Sequence, residues 1–410
     1  HPMSAALDMS GSPRAGAGAA AGLAPRTDPA ARARAIAPAI AAAAPRIEAG
    51  YQLTPDVLDA LHGAALFRTL LPLSCNGEQV DLATFVRMQE IIAAADASTA
   101  WCLGQASGCS MAAAYMEPDV AWDIWGKDPR AVVAWGWGNG VAEVVPGGFR
   151  VTGRWRFASG IRHATWVGGH CRVQEPDGSL RRDPDGTQAE WSMMFPKHQV
   201  EIEEGWNVVG LRGTGSDTYG VQGVFVPREY AVRRDRDEER RCQGSLYRYT
   251  LTNAYSSGFA GVSMGIARGL LDAFKAMAMT KTPAATTRLL RDSEVIQSGV
   301  ARAEATLRSA RAFLLEVLEE SRERVERSGG LSADDRMDVR LATTSAIHRA
   351  KEVAEWVYHE AGATAIFEDQ PFERRMRDIH ASAQQVQGRS QHIEHCGQYM
   401  LGLAPQARFL

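Results

Sequence analysis

The stretch Phe149-Arg-Val-Thr-Gly-Arg-Trp-Arg-Phe-Ala-Ser159 is the clearest β-strand signal in the sequence. Its odd positions carry mainly apolar and aromatic side chains, whereas its even positions include three arginines. Alternation with a period of two is typical of a strand that buries one face. The pattern therefore predicts a strand with an aromatic face, on which Ser159 lies on the same side as Trp155 and Phe157.

The same character extends around this strand, from about residue 131 to residue 232. Glycine is frequent there, and β-branched and aromatic residues occur in short runs, which favours strands over helices. Residues 221–227 are a further predicted strand, which ends at its proline. The sequence therefore predicts a β domain in the middle of the chain.

The residues before this region favour helices. Residues 31–49 are rich in alanine, which has a high helix propensity. Thr54 followed by Pro55 is typical of a helix start, because a hydroxyl can cap the first turn and proline fits its first position. Two further helical runs cover residues 82–95 and 98–116, and the second is so small and apolar that we expect it to be buried.

The residues after about 247 also favour helices, and these are longer. Gly261, Gly265 and Gly269 lie four apart, so they form one stripe that lets a second helix approach closely. Residues 284–328 lack proline and carry many i,i+4 charge pairs, which predicts a long helix of a bundle. The remaining signals are a helix stop at Gly329-Gly330 and helices over 334–361 and 381–401.

Composition limits the class of protein. The 410 residues carry a formal net charge of −3, so the chain lacks the basic excess typical of proteins that bind nucleic acid or anionic membranes. No apolar run is long enough to span a bilayer. The six cysteines lack zinc-site or CxxC spacing, so we expect free thiols in a reducing cytoplasm and no metal. Residues 1–29, rich in Ala, Gly, Pro and Ser, predict a disordered tail.

The order of the three regions resembles that of the acyl-CoA dehydrogenases, and four motifs resemble their oxygenase relatives, the group D two-component flavin-dependent monooxygenases. The motifs are Asp96-Ala-Ser-Thr-Ala-Trp101, Gly153-Arg-Trp-Arg-Phe-Ala-Ser-Gly160, Gly210-Leu-Arg-Gly-Thr-Gly-Ser216 with Val224-Phe-Val-Pro227, and Arg377-Asp-Ile-His380. Each is weak alone, but together, in this order and spacing over residues 30–405, they are specific.

The resemblance implies an α+β, acyl-CoA dehydrogenase-like fold. The expected domains are an N-terminal α-helical domain at 30–130, a central β-barrel domain at 131–245 and a C-terminal four-helix bundle at 246–410. The bundle would hold the flavin site and the interface of a homotetramer.

The resemblance also implies the oxygenase component of a two-component monooxygenase. Reduced FMN or FAD would diffuse from a separate NAD(P)H:flavin reductase and react with O2 to a flavin C4a-hydroperoxide, which hydroxylates an aromatic or polycyclic small molecule. The sequence has no Gly-x-Gly-x-x-Gly motif after a strand, which agrees with a chain without its own NAD(P)H site.

For the flavin, the resemblance implies that Ser159 contacts N5, beside an aromatic wall of Trp155 and Phe157. On the residues alone, the alternative is that both aromatic residues belong to the core and Ser159 starts a turn. Trp101 corresponds to the tryptophan of the family's Ser-x-x-Trp helix near the flavin. Arg288 resembles a position that binds flavin phosphate across a subunit interface, with a solvated charged face as the alternative. The other expected cofactor contacts are Asn139, Gly160, Thr214, Ser216 and Gln297.

For the substrate, Trp135-Gly-Trp-Gly-Asn-Gly140 resembles the segment that lines the flavin and substrate cavity. Trp135 and Trp137 would stack on an aromatic substrate, and an ordinary tight turn is the alternative. Cys109 lies where some phenol-hydroxylating relatives carry a histidine that contacts the substrate. Its presence argues against a simple 4-hydroxyphenylacetate-type substrate.

The expected catalytic residues depart from the family pattern. Relatives usually carry a histidine near flavin C4a, five residues after the Arg-Asp-x-His motif, and here that position is Gln385. Glutamine forms hydrogen bonds but does not titrate near neutral pH. Either Gln385 only positions the oxygenated flavin or another group handles the proton, and His380 is the nearest candidate. His392 and His395 are expected to face solvent or an interface.

Other functions remain open at this stage. An acyl-CoA dehydrogenase or oxidase needs a carboxylate base, and the sequence lacks the glutamate motif usual near the C-terminus of those enzymes. A family member that oxygenates sulfur or nitrogen, or a non-catalytic protein with this fold, completes the alternatives.

Overall fold

The structure is a computed structural model that describes residues 27–234 and 236–405. The predicted disordered tail at 1–29 therefore lies almost wholly outside the described residues. Helices come first, strands follow, and long helices complete the described chain. The helices are α1 (Pro29–Gly50), α2 (Pro55–Gly63), α3 (Leu82–Ala95), α4 (Ala97–Ser110), α5 (Pro118–Ala121), α6 (Leu251–Ala278), α7 (Glu294–Ser328), α8 (Ala333–Ala361), α9 (Glu373–Ala383) and α10 (Gln391–Met400). The strands are β1 (Val133–Trp135), β2 (Trp137–Val145), β3 (Gly148–Ala158), β4 (Trp166–Gln174), β5 (Glu190–Pro196), β6 (Glu201–Glu203), β7 (Asp217–Pro227) and β8 (Ala231–Val232).

Side-chain caps set the starts of the helices that carry the site. Asp81 accepts a hydrogen bond of 2.8 Å from the Thr84 amide at the start of α3, and Asp96 accepts one of 2.7 Å from the Thr99 amide at the start of α4. The predicted helix over 82–95 is confirmed. The predicted run over 98–116 is an α-helix only to Ser110, and Met111–Tyr115 continues it as a tighter 3₁₀ turn.

The strands form one sheet in the order β6-β7-β3-β2-β4-β5-β8, and β1 pairs with β4. Strand β3 lies between β2 and β7 near its middle. Trp155 of β3 is fully buried in the core that the sheet encloses. Its ring lies where three glycines have no side chain, since a Cβ at Gly140, Gly153 or Gly169 would lie within 2.5 to 2.6 Å of it. Trp155 is therefore a core residue of the sheet.

The alternation predicted for this strand is wrong at its end. The register between β3 and β7 shifts between Trp155 and Ala158. Phe157 has a φ of 62°, and its side chain is 55% exposed. A bulge of this kind turns the extra residue out of the pleat, so Ala158 takes the buried position. Phe157 consequently does not share the face of Trp155.

The glycine stripe of α6 packs against α3, as predicted. A Cβ at Gly265 would lie 2.3 Å from the Glu90 carbonyl oxygen and 2.7 Å from the Ala93 Cβ. At Gly261 it would lie 3.0 Å from the Gln89 Cβ. The two helix backbones therefore meet where α6 has no side chains, and this contact fixes α6 beside the helices that carry the site.

Two predicted helices differ in the structure. Helix α7 begins at Glu294 instead of residue 284, because Ala285 has a φ of 61° and the connection closes with a 3₁₀ turn at Leu290–Asp292. Gly329, with a φ of 78°, ends α7 as predicted. No membrane crossing is expected of any helix in the described ranges, because none combines the required length with an apolar composition.

The helix predicted over 381–401 is divided into the end of α9 and α10. The Gln385 side chain accepts a 2.8 Å hydrogen bond from the Gln387 amide, which closes a 3₁₀ turn between the two helices. His392 then reaches back from α10 and donates from Nε2 to the Val386 carbonyl oxygen at 2.7 Å. The expectation that His392 faces solvent or an interface is therefore wrong, because it is buried against this turn.

Candidate active site

A chain of four hydrogen-bonded side chains joins α4, the end of β3 and the turn before β7. The Trp101 indole nitrogen donates to the Ser159 hydroxyl at 3.0 Å. The Ser159 and Ser216 hydroxyl oxygens lie 2.7 Å apart, as do those of Ser216 and Thr214. Thr214 donates to the Leu211 carbonyl oxygen at 2.8 Å. All four side chains are buried, so three motifs that are far apart in the sequence meet here.

The direction of this chain follows from its two ends. The Leu211 carbonyl can only accept and the Trp101 indole N–H can only donate. Thr214 has one hydroxyl proton and gives it to Leu211, so it accepts from Ser216, and Ser216 in turn accepts from Ser159. The hydroxyl proton of Ser159 is thus committed within the protein. Toward a ligand, Ser159 can only accept a hydrogen bond.

Residues of α9 hold the turn that carries Thr214 and Ser216. The Asp378 carboxylate accepts a 2.7 Å hydrogen bond from the Leu211 amide, where the backbone has a left-handed φ of 54°. A Cβ at Gly210 would lie 2.2 Å from the Arg377 carbonyl oxygen, so only glycine fits this contact. Burial raises the pKa of Asp378 to about 7, and the charges of Asp96 and Glu48 add to this effect. The motif at 377–380 thus holds the motif at 210–216 in place.

An aromatic series leads from the hydrogen-bonded chain along α6. Trp101 stacks on Phe259 with ring centroids 3.9 Å apart, and Phe259 stacks on Tyr255 at 6.0 Å. The Tyr255 hydroxyl lies 3.4 Å from the Cys109 sulfur. Sequence reasoning missed Tyr255 and Phe259, although their i,i+4 spacing on a helix otherwise lined by small residues is a signal that could have found them.

The Cys109–Tyr255 pair is uncharged at neutral pH. Burial raises the pKa of Cys109 to about 12, against the lowering effect of its hydrogen bond to Tyr255. Burial likewise raises the pKa of Tyr255 well above its usual value. A thiol and a phenol in this state can exchange hydrogen bonds with a ligand but present no charge to it.

A set of polar side chains surrounds Trp135, which lies next to this pair in the proposed site. The Gln105 side chain, one helical turn before Cys109 on α4, donates to the Trp135 carbonyl oxygen at 3.4 Å. The His170 ring stands edge-on to the Trp135 ring at 5.1 Å. The Arg234 guanidinium lies over the same ring, 5.5 Å from its centroid. His170 and Arg234 were not predicted, because their contacts join β4 to the segment after β8.

Exposed aromatic side chains lie near Ser159, on β2 and at the end of β3. Phe157 stands edge-on to Trp206 with centroids 6.1 Å apart. Trp137 is 64% exposed and pairs in register with Arg156, the neighbour of Phe157. Asn139 is also exposed, two residues along β2. Gly160, with a φ of 78°, donates its amide to the Thr214 carbonyl oxygen at 2.9 Å. An open aromatic surface therefore adjoins the polar chain.

The structure does not bring four of the expected residues to this cluster. Arg288, in the connection before α7, pairs with Glu294 at 3.3 Å, and Gln297, in the first turn of α7, donates to the Arg291 carbonyl oxygen at 3.1 Å. His380 lies on α9, 3.4 Å from Glu355. Gln385 lies in the turn after α9, and its buried amide nitrogen has no hydrogen-bond partner among the described residues. Within the described part of one chain, none of these four side chains hydrogen-bonds to Ser159 or Trp101.

Comparison with known proteins places the chain in a family. Residues 257–388 match the family described as acyl-CoA dehydrogenase, C-terminal domain. An indole-3-acetate monooxygenase of Pseudomonas putida is 31% identical over 359 residues, which cover 87% of this chain and 90% of that protein. The chain belongs to the group D flavin-dependent monooxygenases. The oxygenase component of an FADH(2)-dependent resorcinol hydroxylase of Rhizobium sp. is 26% identical over 85% of this monooxygenase and 88% of its own length.

Solved structures confirm the predicted acyl-CoA dehydrogenase-like fold of this monooxygenase. XiaF from Streptomyces sp., solved in complex with FADH2 and glycerol, aligns with a TM-score of 0.85 at 21% identity, over 93% of this chain and 96% of its own. The HsaA monooxygenase from M. tuberculosis also aligns with a TM-score of 0.85, at 24% identity, over 94% and 100% of the two chains. Helices, a central sheet and a second set of helices follow one another as expected.

Proposed function

We propose that this monooxygenase uses reduced FMN or FAD and O2 to insert one oxygen atom into an aromatic small molecule. The observation that carries the proposal is the continuous path from Ser159 through Trp101 and Phe259 to Tyr255 and Cys109. One end of this path is a buried polar chain beside exposed aromatic rings. The other end is an uncharged polar pair beside Trp135.

The first end suits a reduced flavin. Phe157 offers an apolar surface to the isoalloxazine, and Ser159 offers a hydrogen-bond acceptor. Reduced flavin carries a hydrogen on N5, whereas oxidised flavin does not, so an obligate acceptor complements the reduced form. When bound, the flavin supplies the electrons that activate O2. Trp155 supports this site from within the sheet, Thr214 and Ser216 orient Ser159, and Asn139 and Gly160 remain proposed contacts.

The other proposed cofactor contacts require a second subunit. Arg288 and Gln297 lie away from Ser159 within one chain, and a cationic residue at the flavin phosphate is the role that the family resemblance gives to Arg288. We therefore place them in the neighbouring subunit's flavin site, in a homotetramer. Gln385 and His380 are proposed to act near the flavin in the same arrangement.

The second end suits an aromatic substrate. The Trp135 ring and the Cys109–Tyr255 pair combine an aromatic face with uncharged hydrogen-bonding groups, as pockets for small aromatic molecules usually do. Trp137 is the other proposed substrate contact. The reduced flavin would come from a separate NAD(P)H:flavin reductase in the cytoplasm.

The test is to mix the purified protein with photoreduced FMN or FAD, candidate aromatic compounds and isotopically labelled dioxygen. We expect one labelled oxygen atom in the product, detected by mass spectrometry, and loss of product in Ser159→Ala. Flavin oxidation with release of hydrogen peroxide and no labelled product from any aromatic compound would contradict the proposal. Ser179→Ala, in an exposed turn, is the matched control.

Acyl-CoA dehydrogenation is less well supported by the site. Abstraction of an α-proton needs a carboxylate beside the flavin. Among the described residues, no aspartate or glutamate hydrogen-bonds to Trp101, Ser159, Cys109 or Tyr255. Reduction of a dye by the protein with an acyl-CoA thioester would reverse this ranking.

A further inference from the structure

The Arg234 side chain occupies an unusual position beside the proposed substrate end. It follows β8 and is half-buried, with its guanidinium over the Trp135 ring at 5.5 Å. Its Nε donates to the Ser192 hydroxyl at 3.1 Å, and a terminal nitrogen lies 3.3 Å from the His170 Nδ1. The Ser192 hydroxyl also lies 2.7 Å from the His170 Nδ1. These contacts hold the guanidinium in place against the Trp135 ring.

Arg234 has no acidic partner in the described part of the chain, unlike the arginines on either side of it. Arg233 pairs with Asp183 and Glu239, each at 3.0 Å, and Arg236 pairs with Asp183 at 2.5 Å. The partners of Arg234 are uncharged, because burial and the Arg234 charge both hold the pKa of His170 well below its usual value. A guanidinium partly removed from water usually has a carboxylate partner. Among the residues that the structure describes, none compensates this positive charge with a carboxylate.

This charge faces the substrate end of the site. Gln105 and Cys109 lie four residues apart on α4, so their side chains share one face. Gln105 contacts the Trp135 carbonyl oxygen, and Arg234 lies over the Trp135 ring. Because Arg234 lies over the Trp135 ring and Gln105 of α4 holds the Trp135 backbone, a ligand that packs against Trp135 would lie close to the Arg234 guanidinium.

We propose that Arg234 binds the carboxylate of the substrate, and that this monooxygenase acts on aromatic carboxylic acids in their ionised form. The proposal rests on the proposed function, because it assigns the substrate to the end of the site at Trp135. An Arg–carboxylate pair forms two parallel hydrogen bonds and so fixes the ring's orientation as well as its affinity. His170 and Ser192 act as positioning residues, since they hold the guanidinium and touch no substrate in this arrangement.

The test compares each acid with its amide, which has nearly the same shape and no charge. Indole-3-acetate is paired with indole-3-acetamide, and 4-hydroxyphenylacetate with 4-hydroxyphenylacetamide. Binding to the full-length protein is measured by anaerobic calorimetry in the presence of reduced flavin. We expect at least one acid to bind roughly tenfold or more tightly than its amide, as a charge-assisted hydrogen bond predicts.

Variants then show whether the preference for the acid over the amide depends on Arg234. Arg234→Gln should weaken binding of the acid roughly 10- to 100-fold and leave the amide within about twofold. Arg234→Lys keeps the charge but not the planar guanidinium, so its affinity for the acid should fall less. Ser192→Ala should lose part of the affinity for the acid, because the guanidinium is then held less firmly. Arg233→Gln is the matched control, since it removes a neighbouring arginine whose partners are Asp183 and Glu239, and it should leave the preference unchanged.

Three outcomes would overturn the proposal: equal binding of acid and amide, binding of neither member of both pairs, or an unchanged preference in Arg234→Gln. Thermal unfolding of each variant shows whether it is folded, and Arg234→Lys and Ser192→Ala carry the test if Arg234→Gln is not. Oxygenation assays on the same samples separate this proposal from the proposed function. Labelled product from neutral aromatics without an acid preference rejects only the role of Arg234. An acid preference that depends on Arg234 without any labelled product rejects only the oxygenase reaction.

Discussion

At the scale of single residues, the direction of the Trp101–Ser159–Ser216–Thr214 chain matters more than its length. Each hydroxyl has one proton, and the Leu211 carbonyl at the end accepts the last of them. The chain therefore determines whether the Ser159 oxygen donates or accepts at the proposed flavin site. Ser216 touches no flavin in this arrangement, yet it sets the polarity of the residue that does.

Ser216→Ala should reduce the preference of the protein for reduced over oxidised flavin. Without Ser216, the Ser159 proton is free to turn toward the N5 of oxidised flavin, which accepts a hydrogen bond. The ratio of the two dissociation constants should fall roughly fivefold, as expected for one hydrogen bond. The constants are measured by flavin fluorescence for the oxidised form and by anaerobic titration for the reduced form. The same ratio in Ser216→Ala and in the control Ser179→Ala would show that the chain does not set this preference.

Single residues also show which features of the site can be predicted from the sequence and which cannot. Ser159 and Trp101 are predictable, because each belongs to a motif of consecutive residues. The hydrogen bond between them joins residues far apart in the chain, and no periodicity reports it. Arg234 carries no local signal at all, because only the folded chain shows that Arg233 and Arg236 have acidic partners, whereas Arg234 has none among the described residues.

At the scale of elements, α9 and the turn before β7 act as one unit through the buried Asp378. The folded-state pKa of Asp378, about 7, lies above its ordinary value of 3.8. Between these two pH values the folded protein keeps the proton while the unfolded chain loses it. Stability from this group is therefore fully present at low pH and falls as the pH rises toward 7.

Asp378→Asn should remove this dependence on pH and keep an oxygen that accepts from the Leu211 amide. The free energy of unfolding of the wild-type protein should decrease relative to that of the variant between about pH 4 and about pH 7. For a fully buried carboxyl the change is on the order of a few kcal/mol. Denaturant titrations of both proteins at each pH measure it. A constant difference between the two proteins across this range would mean that Asp378 titrates normally.

The contact between α3 and α6 gives a second prediction for an element. Gly265→Val should destabilise the protein by roughly 1–3 kcal/mol or more, because the new side chain would meet the Glu90 carbonyl and the Ala93 Cβ. Gly63→Ala is the control, since a Cβ at the end of α2 meets nothing within 4 Å. Thermal and denaturant unfolding report both. Equal stability of the two variants would contradict the close packing of α3 on α6.

Elements differ in how well their bounds can be predicted. The starts of α3 and α4 follow from aspartate caps, which are visible in the sequence. The start of α7 and the end of β3 do not, because both depend on a single non-glycine residue with positive φ, Ala285 or Phe157. Side-chain type does not report such a backbone conformation, so alternation and helix propensity both continue past it.

At the scale of the whole molecule, eight of the fifteen exposed large apolar side chains among the described residues lie in, between or just after the C-terminal helices. These eight are Met279, Val295, Ile366, Phe367, Ile393, Met400, Leu401 and Leu403. Exposed apolar surface of this kind is typical of a surface that another chain covers. The proposed homotetramer would bury it, and Arg288 and Gln297 lie in the same part of the chain.

The double variant Val295→Asp, Phe367→Asp should therefore dissociate the assembly and weaken flavin binding at the same time. Light scattering gives the molar mass, and anaerobic titration gives the flavin affinity. Leu73→Asp, at an exposed apolar residue of the N-terminal region, should change neither. A dissociated protein that binds reduced flavin normally would place Arg288 and Gln297 outside the flavin site.

The glycines around Trp155 have a consequence for attempts to broaden the range of compounds that this enzyme accepts. In random libraries that include Gly140, Gly153 or Gly169, the variants changed at these positions would fold poorly, because any side chain there collides with the indole ring. Directed evolution would find folded variants more readily at Gln105, Cys109 and Tyr255, whose side chains lie on helices outside that cage. Substitutions at these three glycines would therefore be tolerated less well than substitutions at Gln105, Cys109 and Tyr255.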